Sequence, residues 1–193
     1  DFANFYQDQE SLDGIDYLQS AETGSEGCVF ALNSIKNSTK NIVVKEADSV
    51  FNAGSSNFAV RYLQNDSSIL FTSARPGSKI TNKGQKAVWF CDLYKSTRTK
   101  KGWTNPKNFG APINTLIHEG AGMLSPDMHS LYFTRWSGTT EQGERAIYIS
   151  KFFNNQWMQP MKLNENVIMP GSLTMQPAFS ADDNILFFVS DRS

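Results

Sequence analysis

The sequence predicts an all-β fold, and three features of the chain support this prediction. Aromatic residues make up 12% of the 193 residues, which is typical of a packed core and not of a disordered polar chain. Short apolar runs alternate with clusters of Gly, Asn, Ser and Pro, as strands alternate with turns. Residues 118–135 and 174–192 also repeat one order of small, apolar, turn and aromatic residues, which indicates a repeated structural unit.

The elements follow in chain order. Residues 1–25 show neither regular alternation nor a helical stripe, and they are predicted to be an N-terminal extension laid against the domain. Beyond them, the apolar runs predict strands at residues 28–32, 41–45, 58–63, 69–73, 87–94, 121–125, 131–135, 146–153, 157–163, 176–180 and 185–190.

These strands repeat as four-stranded units. Phe71, Phe133 and Phe188 are the last aromatic residues of the second apolar strand in successive copies, at spacings of 62 and 55 residues. The segment AVWFCD is aligned with AIYISK, each followed by a Trp-x-x-Pro segment, and KSTRTKKG is interpreted as a longer loop in the first copy. The turn before the second strand, Ser125-Pro126-Asp127, is predicted to be held by its own Ser and Asp side chains.

A four-stranded meander with apolar faces, repeated every 40 to 60 residues or so, predicts a β-propeller with four-stranded antiparallel blades. The propeller segment covers residues 26–193, with a partial blade at 26–53, blades at 54–113 and 118–170, and a partial blade at 174–193. Because closed propellers have about four or more blades, we expect the chain to hold only part of the ring. Missing sequence or another chain would complete it and cover the apolar side chains of Phe179, Leu186, Phe187 and Phe188.

Composition argues against two classes of partner. The net charge is −1 and the isoelectric point is about 6.2, so the chain as a whole has no attraction for nucleic acid. No apolar stretch approaches the roughly 20 residues of a transmembrane helix. The basic residues Lys95, Arg98, Lys100 and Lys101 are interpreted as a solvated loop, with a nucleic-acid contact as the alternative.

Motifs for catalysis and metal binding are missing from the sequence. The two histidines, His118 and His129, have no neighbouring ligands at metal-site spacing and are interpreted as surface loop residues. Cys28 and Cys91 are interpreted as buried free thiols, with a disulfide as the alternative. There is no GxSxG, GxxxxGK[ST] or GxGxxG motif, so we predict no catalytic residue, no cofactor and no metal, and a protein that is not an enzyme.

The segments EGAGMLSPDMHSLYFTR and MQPAFSADDNILFFVSDR resemble WD40-like, TolB-type propeller repeats. Their residue pattern is most similar to that of the propeller of OmpA-family cell-envelope proteins of the type IX secretion system and gliding machinery (PorE-like). Two positions depart from the family pattern, since Met128 and Asp183 stand where a Gly is usual. The resemblance implies a location in the periplasm or cell envelope, with outer-membrane association through regions not in this chain.

Together these observations predict a non-enzymatic scaffold that binds a protein or peptide partner, such as another envelope or secretion component. The predicted partner-binding residues are Arg75, Arg135, Trp136 and Arg192, although inter-blade hydrogen bonding is the favoured interpretation of Arg75 and Arg192. The alternative function is the propeller portion of a peptidase or glycoside hydrolase whose catalytic residues lie elsewhere.

Overall fold

The computed structural model describes residues 17–37, 42–63, 67–78, 89–137, 143–180, 182 and 184–192. These residues form one helix and twelve mainly short strands, namely α1 (Tyr17–Lys36), β1 (Ser56–Tyr62), β2 (Ser68–Ala74), β3 (Asp92–Thr99), β4 (Gly102–Trp103), β5 (Lys107–Asn108), β6 (His118–Leu124), β7 (Ser130–Trp136), β8 (Arg145–Phe153), β9 (Gln156–Trp157), β10 (Met161–Lys162), β11 (Thr174–Phe179) and β12 (Leu186–Ser190). The predicted β-rich fold is therefore confirmed.

The chain divides into two compact units, Asp1–Glu46 and Ala47–Ser193. The first unit contains α1, so the strand predicted at 28–32 is wrong. Cys28, Leu32 and Ile35 recur at helical spacing, and a short apolar run does not by itself distinguish a strand from part of a helix. Residues 42–48 form no regular element, so the strand predicted at 41–45 is also wrong within the described residues.

The second unit contains three antiparallel sheets that follow one another along the chain. The first two are curled; one has the order β1-β2-β3-β4, with β5 also paired to β3, and the other has the order β10-β8-β7-β6, with β9 paired to β8. The third sheet pairs β11 with β12. Each sheet thus begins with a two-stranded hairpin of the same kind, as the repeat predicts.

The first two sheets pack face to face around one apolar core. Its buried members are Leu63, Leu70, Leu93, Ile113, Leu131 and Phe133. The strand β6 lies close against the first sheet because it carries glycine at two positions. A Cβ on Gly120 would lie 2.8 Å from Thr72, and one on Gly122 would lie 2.9 Å from Leu93. The small residues of the first strand therefore permit the close approach of adjacent sheets.

The third strand of the first sheet begins later than predicted. It covers Asp92–Thr99, whereas the sequence analysis placed a strand at 87–94, of which 87 and 88 lie outside the described residues. Phe71 is the cross-strand partner of Tyr94, as Phe133 is of Tyr148. Tyr94 therefore matches Tyr148, and the alignment of AVWFCD with AIYISK is wrong.

This register also corrects the predicted loop KSTRTKKG. Lys95 and Arg98 lie within β3, and only Lys100 and Lys101 belong to the turn that leads into β4. The predicted single outer strand is split in each sheet, into β4 and β5 in the first and into β9 and β10 in the second. Each split contains a proline, Pro106 or Pro160, which has no N–H to continue the ladder.

The last strand leaves an apolar face uncovered. Ile185, Phe187 and Val189 are 54%, 57% and 52% exposed. Phe179, which was also expected to be uncovered, instead packs edge-on against Tyr132 at 4.8 Å between ring centroids. The exposed face is therefore formed by Phe187 and Val189 of β12 and by Ile185 just before it, which alternate along the chain and so lie on one face.

Both cysteines are free thiols. Cys28 is exposed and Cys91 is half-buried, so the prediction that Cys28 is buried is wrong.

In the described part of the chain, no helix has the length and apolar character needed to span a bilayer.

Candidate functional site

Three arginines occupy equivalent places in the three sheets, and we call them the clamp arginines: Arg75, Arg135 and Arg192. Each guanidinium carbon lies over an aromatic ring in the middle of its sheet's second strand, at 5.0 Å from Phe71, 5.5 Å from Phe133 and 4.6 Å from Phe188. Arg135 occurs two positions earlier in its copy than the other two, yet its long side chain reaches the same place. These contacts are cation–π interactions.

The clamp arginines also hold the segment that precedes each sheet. Arg75 donates to the carbonyl oxygens of Val50 and Phe51, both at 2.9 Å. Arg135 donates to the carbonyl of Ile113 at 3.0 Å and Arg192 to that of Val167 at 3.3 Å. Arg135 also donates to the carbonyl of Pro112 at 3.4 Å. The acceptors Val50, Pro112 and Val167 follow the same 62- and 55-residue spacings as the phenylalanines, so each clamp fastens the entry segment to the second strand.

Arg75 and Arg135 have a further partner on the first strand of their sheet. Arg75 donates to Oδ1 of Asn57 at 2.8 Å, and Arg135 donates to Oε1 of Glu119 at 2.9 Å. The matching residue of the third sheet, Thr174, is buried and its hydroxyl has no hydrogen-bond partner among the described residues. Arg75 and Arg135 therefore make more hydrogen bonds within the described part of the fold than Arg192 does.

Glu119 is the most deeply buried acid of the second unit's described residues, with 0% exposure. Burial raises the pKa of its carboxyl group, against the opposing effects of hydrogen bonds from Thr115 and the charge of Arg135. Thr115 donates from its hydroxyl at 2.5 Å and from its amide at 3.0 Å. With the guanidinium of Arg135 these bonds satisfy the carboxylate, which is what a buried charge requires.

Adjacent sheets are joined by a second repeated contact. Ala59, Ala121 and Gln176 adopt positive φ values of 53°, 49° and 56° at bulges of the first strands. Turned out of the ladder by the bulge, the N–H of Ala121 donates to Oγ1 of Thr72 at 2.9 Å, and that of Gln176 to Oγ1 of Thr134 at 2.8 Å. No strand precedes β1 within the described residues, so there the bulge at Ala59 faces no earlier sheet.

His118 and Trp136 form an aromatic stack at the seam between the first two sheets. Their rings lie 5.0 Å apart with an 8° angle between the planes, and Phe90 meets the other side of the imidazole edge-on at 4.9 Å. Nδ1 of His118 accepts a hydrogen bond from the amide of Cys91 at 3.0 Å. The interpretation of His118 as a surface loop residue is therefore wrong, because it lies in β6 and is half-buried; His129 is exposed in the turn before β7.

Trp136, a predicted partner-binding residue, lines a cavity. The cavity has a volume of about 240 Å³ and is formed by Phe58, Ala121, Thr134, Trp136, Arg145, Met175 and Gln176. A neighbouring hollow of about 370 Å³ shares Phe58, Ala121 and Gln176 with it. All three first strands contribute to this pair of hollows, which we call the axial cavity.

Two cations line the axial cavity, Arg145 in the first hollow and Arg61 in the second, and Arg145 is the one beside Trp136. It lies opposite Trp136 on the adjacent strand and is half-buried, and within the described ranges its guanidinium has no hydrogen bond or ion pair. A cation beside an aromatic wall suits the carboxylate of a ligand with an apolar body. Arg145, Phe58 and Gln176 were not predicted from the sequence. The spacings of 62 and 55 residues that relate Ala59, Ala121 and Gln176 are a signal that could have identified Gln176.

Cys91 and Asp127 are two further groups whose surroundings fix their protonation state or hydrogen bonds. Burial and the neighbouring Asp92 raise the pKa of the Cys91 thiol to about 11, so this sulfur is protonated at neutral pH and is a poor nucleophile. The turn acid Asp127 accepts from Ser125 at 2.5 Å and from the amide of His129 at 2.9 Å, which confirms the predicted turn. Across the described stretches, no group of three or more His, Cys, Asp or Glu is placed to hold a metal ion.

The chain was compared with protein-family models, curated proteins and solved structures. None of the three comparisons gives a match. The resemblance to TolB-type repeats accordingly stays a prediction from the residues quoted above.

Proposed function

We propose that the three sheets are consecutive blades of a β-propeller and that the chain is a non-enzymatic scaffold for a peptide or protein partner. Two relationships support the architecture: the clamp arginines repeat in all three sheets, and the bond from bulge to threonine repeats at both seams. Phe133 and Phe188 also lie in the second strands of two different sheets. Successive blades around an axis would produce this arrangement.

The axial cavity is the observation that carries the binding proposal. Trp136, Phe58 and Met175 provide apolar walls, while the guanidinium of Arg145 and the side-chain amide of Gln176 provide polar groups. Pockets that bind ligands combine a largely apolar lining with a few polar groups that fix orientation. Because the walls belong to β-strands, the site is held on a rigid framework.

The clamp arginines have a supporting part in this proposal. Arg75 and Arg135 are engaged with carbonyl groups and first-strand side chains inside the fold, so they position the sheets that line the cavity. Trp136 is the residue of the predicted set that a partner would touch there. The periplasmic or cell-envelope location, and the link to a secretion apparatus, rest on the sequence resemblance alone.

The test is a selection of binding peptides. A random peptide library displayed on phage would be panned against the purified protein, and the enriched peptides would be measured by calorimetry against the wild type and against R145Q. Because a hydrogen bond to a charged group contributes about 1.5–3 kcal/mol, we expect the R145Q substitution to weaken binding about tenfold or more.

A matched control is available in Arg98, an exposed cation of β3 that does not line the axial cavity. The R98Q variant should bind the same peptides as the wild type does. Equal binding to R145Q and R98Q, or no enriched peptide, would contradict the proposed site. Cleavage of the peptides during incubation, detected by mass spectrometry, would contradict the non-enzymatic assignment.

A further inference from the structure

A second cleft lies at the outer side of the first two sheets. Its volume is about 590 Å³, and it is lined by Lys95, Thr97, Thr104, Asn105, Lys107, Asn108, Phe109 and Trp157. Trp157 belongs to β9 of the second sheet, and the other residues belong to β3, β5 and the segments around them. The outer cleft shares no lining residue with the axial cavity.

Two lysines face each other in this outer cleft. Lys95 of β3 and Lys107 of β5 are directly opposed partners in an antiparallel pair, so their side chains project from the same face. Like charges in this position destabilise a sheet. Neither ammonium group has a hydrogen bond or an ion pair among the residues that the structure describes, and no neighbouring carboxylate there relieves the repulsion.

The second sheet shows that the fold itself does not require this lysine pair. Tyr94 matches Tyr148 in cross-strand pairing, so the positions of Lys95 and Lys107 correspond to Ile149 and Met161, which are also directly opposed. There the pair is apolar and carries no charge. A repeated position that is apolar in one sheet and doubly cationic in the next indicates a role beyond folding for the cationic pair.

The surrounding sequence strengthens the positive charge of the outer cleft. Residues 93–118 contain the cations Lys95, Arg98, Lys100, Lys101 and Lys107 and no Asp or Glu, although the chain as a whole has a net charge of −1. The charge is therefore concentrated in this one segment. The amide of Asn105 also makes no hydrogen bond within the described ranges, which adds a free donor to the two ammonium groups.

We propose that the outer cleft binds an acidic peptide segment of a partner protein. A Glu or Asp carboxylate would lie between Lys95 and Lys107, where it removes their mutual repulsion, and an adjacent apolar side chain would contact Phe109 and Trp157. The charge is local and the chain is otherwise slightly acidic, which favours a short acidic segment over a long polyanion such as nucleic acid. This inference does not depend on peptide binding in the axial cavity.

The test uses the whole chain and a short synthetic peptide rich in Glu with one central Leu. Calorimetry at about 150 mM salt limits the contribution of charges farther than about 8 Å. The K95Q/K107Q variant should bind the peptide at least about tenfold more weakly than the wild type, because both charge-assisted contacts are lost. A peptide with Gln in place of every Glu should not bind the wild type.

The K100Q/K101Q variant provides the matched control, since it removes two charges from the exposed turn outside the cleft. It should bind within about threefold of the wild type, because the exposed turn charges are largely screened at this salt concentration.

Equal losses in the two double variants would overturn the assignment to the lysine pair, as would wild-type affinity in K95Q/K107Q. Tighter binding of a single-stranded oligonucleotide than of the Glu peptide would overturn the choice of partner. Peptides selected on the axial cavity should bind K95Q/K107Q normally, so the two sites can fail independently.

Discussion

Thr134 and Gln176 join the second and third sheets through a single hydrogen bond, from the backbone N–H of Gln176 to the hydroxyl of Thr134 at 2.8 Å. The bond depends on two local features, a threonine on the second strand and a left-handed bulge on the next sheet's first strand. The same pair of features joins Thr72 to Ala121. The seam is therefore specified by side-chain chemistry as well as by apolar packing.

Replacement of Thr134 by valine should destabilise the second unit. Valine keeps the shape of the side chain but removes the acceptor, and an unsatisfied amide in a seam costs about 1–3 kcal/mol. Urea denaturation followed by tryptophan fluorescence measures the change in unfolding free energy. The chain supplies a matched control at Val189, the equivalent exposed position of β12, where V189T should change stability by less than about 0.5 kcal/mol.

Replacement of Arg135 by methionine should lower the unfolding free energy more than replacement of Thr134 by valine does. Glu119 has 0% exposure and depends on Arg135 for its ion pair, and removal of one partner from a buried pair costs about 3–5 kcal/mol. The E119Q variant should cost less, because the amide oxygen can still accept from Arg135 and from the hydroxyl of Thr115, which both donate to Oε1, and only the bond from the backbone N–H of Thr115 to Oε2 is lost. If the same denaturation experiment gives equal losses for R135M and E119Q, the buried charge is not the cause.

Protonation of His118 should couple stability to pH. Burial lowers the pKa of this imidazole below its usual value of 6.5, and Nδ1 must stay unprotonated to accept from Cys91. The unfolded chain therefore binds more protons than the folded chain just below pH 6.5, and the contribution of His118 is complete above that pH. It is lost as the pH falls from 6.5 through the lowered pKa, with a slope of at most about 1.4 kcal/mol per pH unit.

The raised pKa of Glu119 makes stability depend on pH in the opposite direction. Its contribution to stability is complete below the unfolded value of 4.5 and is lost as the pH rises through the folded pKa. The two effects are separated by a comparison of the wild type with H118N over the range from pH 7.5 to 4. The difference in unfolding free energy between the two proteins should decline from pH 6.5 downwards, and a constant difference would contradict the role given to His118.

The sequence predicted most of the second unit because its pattern repeats. The second strands, which contain Phe71, Phe133 and Phe188, were located correctly, since apolar runs flanked by turn residues are local signals. The third strand of the first sheet was misplaced because AVWFCD is more apolar than the true strand DLYKSTRT. The spacing from Tyr94 to Trp103 equals that from Tyr148 to Trp157, and this equality would have given the right register.

The candidate sites were harder to predict than the strands. The axial cavity is assembled from three strands far apart in sequence, and the positive φ of Gln176 has no glycine to indicate it. The opposed lysines were hidden for a different reason, because the segment KSTRTKKG, which contains Lys95, was assigned to a loop, so no strand was predicted to pair Lys95 with Lys107. Helix α1 was missed because its apolar residues form a short run, and such runs occur in both helices and strands.

The lysine pair provides a last prediction, in which stability and binding change in opposite directions. The K107E substitution converts two directly opposed like charges into an opposed pair of unlike charges, which should raise the unfolding free energy by about 1 kcal/mol. The gain should shrink in about 1 M salt, where the screening length falls to about 3 Å. The same substitution should abolish binding of the Glu peptide, because the introduced carboxylate occupies the place of the ligand's carboxylate.

The neutral variant K107M, which copies Met161 of the second sheet, should be less stable than K107E at low salt and equal to it at high salt. A K107E protein that is less stable than the wild type would show that Lys95 and Lys107 do not repel each other across the strands, and the physical basis for the outer cleft as an anion site would be lost.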